Sequence, residues 1–252
     1  MSGHNKWSTI KHRKGAQDAK RSKVWTKVTK EITVAARLGG GDADANPRLR
    51  SALLSARSAN MPKANVERAI KKGTGDLEGA SYESVSYEGY ATDGVAIIVD
   101  GLTDNTNRTV SEVRSIFSKR GGNMGAPGAV AWMFEEKGHL TVAADAIGFD
   151  DLFEAAVEAG AEDVEDAGEA GYVVTTAREE LYQVVGVLEA AGITPGEARL
   201  AKLPTNTVTL DSVAKAGKIL RLIEALEDND DVQDVWSNAD ISDEIAAQLA
   251  DA

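Results

Sequence analysis

Two groups of residues in this 252-residue chain have types and spacing suited to chemistry. The first is a basic segment: Lys6, Trp7, Lys11, His12, Arg13 and Lys14, then Lys20, Arg21, Lys23, Lys27 and Lys30. Cations at this density neutralise phosphates and release their counterions, so the ligand they suit is a nucleic-acid backbone. Trp7 lies inside the run and could stack on an exposed base; its plainer role is a plug in a helical core. A charge run is ordinarily a solvated face, but here the rest of the chain argues otherwise. Residues 1–72 carry 17 Lys+Arg against 5 Asp+Glu, residues 73–136 carry 4 against 10, and residues 137–252 carry 7 against 25. The formal net charge of −12 therefore hides a basic third that seeks a polyanion and an acidic remainder that repels one.

The second group is the loop Thr103-Asp104-Asn105-Thr106-Asn107-Arg108, which follows an apolar run and opens a helical pattern. It could aim Asp104, Asn105, Asn107 and Arg108 at a ligand. Helix capping is the simpler reading, because Thr, Asp and Asn are preferred cap residues. Other candidates are weaker. Gly121-Gly122-Asn123-Met124-Gly125 lacks the ending and context of a phosphate loop and reads as a tight turn. His4, His12 and His139 have no metal-ligand spacing, and Asp228, Asp230 and Asp231 read as a solvated helix end. There is no Cys, which excludes disulfides, thiolate metal sites and thiol nucleophiles. No catalytic constellation can be argued from spacing, so no enzyme, cofactor, metal or small-molecule substrate is expected.

The elements that must position these groups follow from periodicity. Residues 1–13 read as a polar arm. A long helix is expected from Lys14 to the stop at Gly39-Gly40-Gly41. On it Lys20, Lys23, Lys27, Lys30 and Arg37 share one arc of about 100°, opposite Val24, Trp25, Val28, Ile32, Ala35 and Ala36. Arg21 breaks the pattern, and Trp25 belongs to the apolar arc. Further helices are expected over Pro47–Ala59 and Pro62–Lys72, each opened by proline. Strands are expected over Ser84–Tyr90, Val95–Leu102 and Ala129–Phe134, with a helix over Thr109–Lys119.

From Leu140 the order strand, helix, strand, strand, helix, strand, ending at Leu203, is that of a ferredoxin-like βαββαβ unit. Val208–Leu210, a helix over Val213–Leu226 and a strand over Val232–Ser237 are too few to fold alone, so they should complete the earlier sheet. The fold class is thus α+β: an N-terminal three-helix bundle, then two α/β domains, the last ferredoxin-like and inserted into the middle one. The limits expected are 1–75 for the basic helical domain, 79–136 plus 204–240 for the discontinuous middle domain, and 137–203 for the acidic insertion. The polar N-terminus has no signal-like apolar stretch, and the longest apolar run, Ala129–Phe134, is far too short for a membrane span. A cytoplasmic protein without a membrane partner is expected, with a monomer favoured.

Several of these segments together resemble the YebC/PmpR family. They are Gly3-His4-Asn5-Lys6-Trp7-Ser8-Thr9-Ile10-Lys11-His12-Arg13-Lys14, Asp18-Ala19-Lys20-Arg21, Pro62 with Asn65-Val66-Glu67-Arg68-Ala69-Ile70-Lys71-Lys72-Gly73, Tyr87-Glu88-Gly89-Tyr90, Leu102-Thr103-Asp104-Asn105, Asn107-Arg108-Thr109, Gly121-Gly122-Asn123, and Ala225-Leu226-Glu227-Asp228 with Asp231-Val232-Gln233. Trp25, Lys30 and Gly101 depart from residues usual in the family. The resemblance implies a non-enzymatic protein of three domains. It also implies two uses for the basic patch. One is DNA-binding transcription regulation. The other is translation regulation on the ribosome through rRNA or tRNA: the family includes a mitochondrial translational activator, and some bacterial members help ribosomes through stalls at proline runs. The intact Asp104–Arg108 motif adds weight to a functional loop. A third possibility is a protein-interaction scaffold using the acidic domains.

Overall fold

A computed structural model of the chain describes residues 17–250; the side chains of residues 17–20, 169, 243 and 250 are not described. The architecture is α+β, with helices first and sheet domains after them. Helix α1 spans Gln17–Gly39, α2 Pro47–Ser58 and α3 Lys63–Thr74. The start expected at Lys14 lies outside the described residues. Asn46 caps α2, its side-chain oxygen accepting the Leu49 N–H at 3.1 Å, and Pro47 follows at the first helical position. α3 ends on Gly75 in the left-handed conformation (φ +89°). The stop expected at Gly73-Thr74-Gly75 falls on Gly75, and Gly73 lies within the helix. A Cβ there would stand 2.4 Å from the Thr33 carbonyl oxygen, so glycine is what lets α3 cross α1 this closely. Ile32, Ala35, Leu49, Ala52, Ala56, Met61 and Ala69 fill the bundle core. Trp25 packs against it and donates its indole N–H to the Ala59 carbonyl at 2.9 Å.

The first sheet holds β1 (Glu83–Tyr90), β2 (Ala96–Thr103), β3 (Asn123–Met124) and β9 (Val232–Ser237) in the order β3-β1-β2-β9. β2 is buried along nearly its whole length, as expected of an apolar central strand. β9 pairs antiparallel with β2, Ile97 opposite Ser237, although more than 100 residues separate them. Helices α4 (Thr106–Lys119) and α7 (Val213–Glu227) cover this sheet through Val113, Phe117, Ile219, Leu222 and Leu226. β8 (Val208–Leu210) pairs in parallel with β10 (Ala239–Ile241), and α8 (Asp243–Ala250) follows. β3, β10 and α8 were not expected from the sequence; the first two are only two and three residues long.

The interrupting segment is β4 (Phe134–Val142), α5 (Phe149–Ala159), β5 (Ala161–Asp166), β6 (Tyr172–Ala177), α6 (Leu181–Ala190) and β7 (Glu197–Pro204). Its sheet order β5-β6-β4-β7 is the ferredoxin-like one, and it is inserted into the first sheet's domain. Ala129–Phe134 is not the strand expected. Residues 131–133 form a 3₁₀ turn, and the strand begins only at Phe134 and runs on through Leu140. Apolar content over six residues signalled burial, yet this segment turns and leaves Trp132 exposed.

The described residues form two compact units: 17–23 with 80–135 and 203–250, and 24–79 with 136–202. Within the second unit, Leu54 of α2 joins the ferredoxin-like core, and the Ser58 hydroxyl donates to the Gly196 carbonyl. Among the described residues no helix is long and apolar enough to cross a membrane.

Candidate nucleic-acid interface and the Asp104–Arg108 cluster

Of the basic residues expected to meet phosphates, Lys6, Trp7, Lys11, His12, Arg13 and Lys14 lie outside the described residues. Lys20 is placed on α1, but its side chain is not described. Arg21 is exposed. Lys23 is half-buried, and its ammonium donates to Asp228 Oδ1 at 2.8 Å and to the Asp228 carbonyl at 3.3 Å. Lys27 is half-buried. Lys30 is a correction: it is only 7% exposed. The physical reason is that residues 32–36 of α1 are buried on every face, so the solvated stripe is interrupted at the helix's middle. The accessible basic face of α1 is interrupted from Lys30 to residue 36 and returns only at Arg37, which is exposed in the last turn.

The bundle exposes cations that were not singled out. Lys63, Arg68, Lys71 and Lys72 of α3 are exposed, as is Arg57 at the end of α2. Lys63 approaches Glu67 at 3.8 Å, an exposed pair one turn apart that contributes little. The signal was present in the sequence: Val66, Ala69, Ile70 and Gly73 define the inward face of α3 and leave Arg68, Lys71 and Lys72 outward.

The loop between β2 and α4 is organised by a residue misread from sequence. Asp231, expected on a solvated helix end, is 4% exposed at the entry to β9. Its Oδ2 lies 2.7 Å from the Arg108 Nη2, 2.7 Å from the Thr109 hydroxyl and 3.1 Å from the Thr103 hydroxyl. Arg108 also donates to Asp104 Oδ1 at 2.9 Å. The Asn105 side-chain oxygen accepts the Arg108 N–H at 3.1 Å, so Asn105 is the N-cap of α4, the simpler of the two readings of this loop. Asn107 is exposed, and its carbonyl accepts from the Ser111 hydroxyl at 2.8 Å. The hint that Asp231 differs from its acidic neighbours was its position directly before the apolar strand, which carries it into the sheet.

The electrostatics follow from this geometry. The hydrogen bond with Asp231, and then that with Asp104, holds the Arg108 guanidinium above its ordinary value, so its charge is permanent. Burial first, then Asp104 and Asp231, pushes the Tyr82 phenol up; burial and then Asp231 do the same to Tyr87. The cluster is a clasp joining β2, α4 and β9. Its guanidinium is engaged by two carboxylates. Among the described residues no group of His, Asp and Glu is placed to hold a metal ion.

Comparison with known proteins covers most of the chain. Residues 5–76 match the family described as "TACO1/YebC protein N-terminal domain", and residues 82–239 match "TACO1/YebC second and third domain". A "Probable transcriptional regulatory protein" of Citrifermentans bemidjiense is 57% identical over 244 residues, covering 97% of this chain and 98% of that one. One of the same description from Syntrophobacter fumaroxidans is 52% identical over 250 residues, covering 99% of this chain and 100% of the other. The crystal structure of a conserved hypothetical protein from Aquifex aeolicus superposes with a TM-score of 0.84 at 49% identity, covering 90% of this chain and 93% of that one.

Proposed function

Since the chain belongs to the TACO1/YebC family, we propose that it is a non-enzymatic, nucleic-acid-binding regulator of gene expression acting in the cytoplasm. The observation that carries this reading is the charge split: a basic first third in an otherwise acidic chain. The naming of its relatives as transcriptional regulators supports it at the level of role. The phosphate contacts proposed are Lys6, Lys11, His12, Arg13, Lys14, Lys20, Arg21, Lys23 and Lys27, with Trp7 stacking; the exposed cations of α3 join them. Breaking Lys23 away from Asp228 costs little, because the pair lies at the solvent-exposed surface. The working division of the chain remains 1–75, 79–136 with 204–240, and 137–203, with a monomer as the functional unit.

Duplex DNA is the first ligand to test. Binding to a selected sequence that survives excess competitor DNA at physiological salt supports transcription regulation; purely non-specific binding contradicts it. One observation favours a second reading, a ribosome-associated translation factor binding rRNA or tRNA. Among the described residues, α1 and α2 are separated by the seven-residue 40–46 loop rather than the short turn of a helix-turn-helix pair. Ribosome co-sedimentation from DNase-treated lysate decides it. Wild type in the ribosomal fractions with Lys11/Lys14/Lys20/Lys23→Ala left at the top supports translation, and both proteins at the top contradicts it.

A further inference from the structure

Two helices of the ferredoxin-like segment share an apolar seam that their own domain leaves open. α5 and α6 lie side by side. The Gln183 side-chain amide, in the first turn of α6, donates to the carbonyl of Ala159, the last residue of α5, at 3.5 Å, so the helices run antiparallel. The exposed positions of α6, Gln183, Gly186, Val187 and Ala190, have helical spacing and form a stripe that starts at this contact, on the side toward α5. On α5, Phe153 and Val157 are exposed one turn apart. Phe153, Val157 and Val187 are 45%, 47% and 44% exposed. The Phe153 ring is braced by Phe149, with centroids 6.2 Å apart, and Phe149 meets Tyr172 of the core edge-on at 5.6 Å. A Cβ on Gly186 would meet nothing within 4 Å. The described fold therefore does not require a residue that weakens a helix interior relative to alanine. Its bare backbone leaves a notch beside Val187.

Charge selects the occupant. Residues 138–198 carry 14 Asp+Glu and a single Lys+Arg, Arg178. Arg178 pairs with Glu136, and the flanking cations Lys137 and Arg199 pair with Glu162 and Glu197. Glu154 follows Phe153, Glu158 follows Val157, and Glu189 stands two positions beyond Val187; all three are exposed. Among the described residues no cation pairs with them. Asp150 and Asp151 have a reason within the chain, since they occupy the first turn of α5, where the helix dipole favours anions. Glu158 and Glu189 occupy last turns, where the dipole of their own helix disfavours an anion. A cation brought by a partner accounts for them. An apolar stripe rimmed by carboxylates complements a basic amphipathic helix, whose apolar side chains enter the seam while its Lys and Arg lie over the rim. The same carboxylates repel a nucleic acid, and a second copy of the seam would set like charges against each other.

We propose that the α5–α6 seam docks a basic amphipathic helix of a partner protein, a contact separate from the N-terminal phosphate contacts. The test is fluorescence anisotropy at physiological salt with a labelled peptide of about 18 residues, leucine on one helical face and lysine on the other. Oligolysine of equal length and a leucine–glutamate peptide of the same pattern are the comparisons. The proteins are full-length wild type, Phe153→Gln/Val157→Gln, Glu154→Gln/Glu158→Gln, Gly186→Gln and Lys6/Lys11/Arg13/Lys14→Ala, with circular dichroism to check that each fold is kept. Wild type should bind the leucine–lysine peptide at least about 10-fold more tightly than either comparison, and Phe153→Gln/Val157→Gln should lose about 10-fold. Glu154→Gln/Glu158→Gln should bind more weakly and with a shallower salt dependence. Gly186→Gln should keep the wild-type thermal midpoint yet lose affinity, which a purely structural glycine would not do. Wild type binding the leucine–lysine peptide no better than oligolysine would overturn the proposal, as would unchanged affinity in Phe153→Gln/Val157→Gln. Tighter binding by Lys6/Lys11/Arg13/Lys14→Ala would overturn it in favour of the chain's own basic segment as the occupant. A wild-type dimer in sedimentation velocity that Phe153→Gln/Val157→Gln dissolves would overturn it in favour of a second copy.

Discussion

A single buried carboxylate decides much of the local structure around the β2–α4 loop. Asp231 accepts from Arg108, Thr109 and Thr103 at once, so removing it takes an acceptor from two buried hydroxyls and leaves Arg108 with Asp104 alone. Asp231→Ala should cost about 1–3 kcal/mol, the scale of buried hydroxyls losing an acceptor, read as a lower urea midpoint at unchanged m; a loss below about 0.5 kcal/mol would show that the clasp is incidental. Asn105→Ala should cost about 1 kcal/mol as a lost N-cap, and its effect on nucleic-acid affinity separates capping from ligand contact at this residue. Tyr82 and Tyr87 add a pH signature. Their phenols hold their protons higher in the folded state than in the unfolded one, for the causes of burial and nearby carboxylates. The stabilisation is therefore full below about pH 10 and is lost as pH rises through the raised folded values. Asp231→Asn should move the phenolate absorbance transition to lower pH, and an unchanged transition would contradict the assignment.

At the scale of elements, the crossing of α3 on α1 hangs on Gly73. A methyl there would meet the Thr33 carbonyl at 2.4 Å and the Ala36 Cβ at 2.7 Å. Gly73→Ala should lower stability by about 1–3 kcal/mol through overpacking, although alanine is the better helix former. A thermal midpoint equal to wild type would show that the helices can part freely. Gly73 also illustrates what sequence reading reaches. Helix stops and prolines marked α1 to α3 within a few residues, and strand–helix alternation disclosed the ferredoxin-like insertion. Local signals could not separate a glycine that ends a helix from one that lets a neighbour approach, because that depends on a partner 40 residues away. The same limit explains Ala129–Phe134. Its apolar content is real, but Glu88, far back in the chain, captures three successive-turn amides and folds the segment into a loop. It also explains Lys30, whose helical arc was right but whose surroundings were supplied by the packed bundle.

At the scale of the whole molecule, charge was the most legible property, since it needs no contacts to be read. The 17 Lys+Arg of residues 1–72 face an acidic remainder that limits contact to one part of the chain. The candidate loop was legible as a motif but not as a structure. Its organising residue, Asp231, lies 123 positions beyond Arg108, where no spacing argument could link them. The basic arm and the α1 cations together set the expected size of the electrostatic term. With about five phosphates engaged on duplex DNA, log affinity should fall against log salt with a slope of about −4 to −5. The most direct test of nucleic-acid binding is that slope, measured between 50 and 300 mM salt, roughly the range in which counterion release dominates. The account predicts the slope above for wild type and a slope shallower by about 3 in Lys11/Lys14/Lys20/Lys23→Ala. A wild-type slope near zero, or an identical slope in the variant, would contradict it.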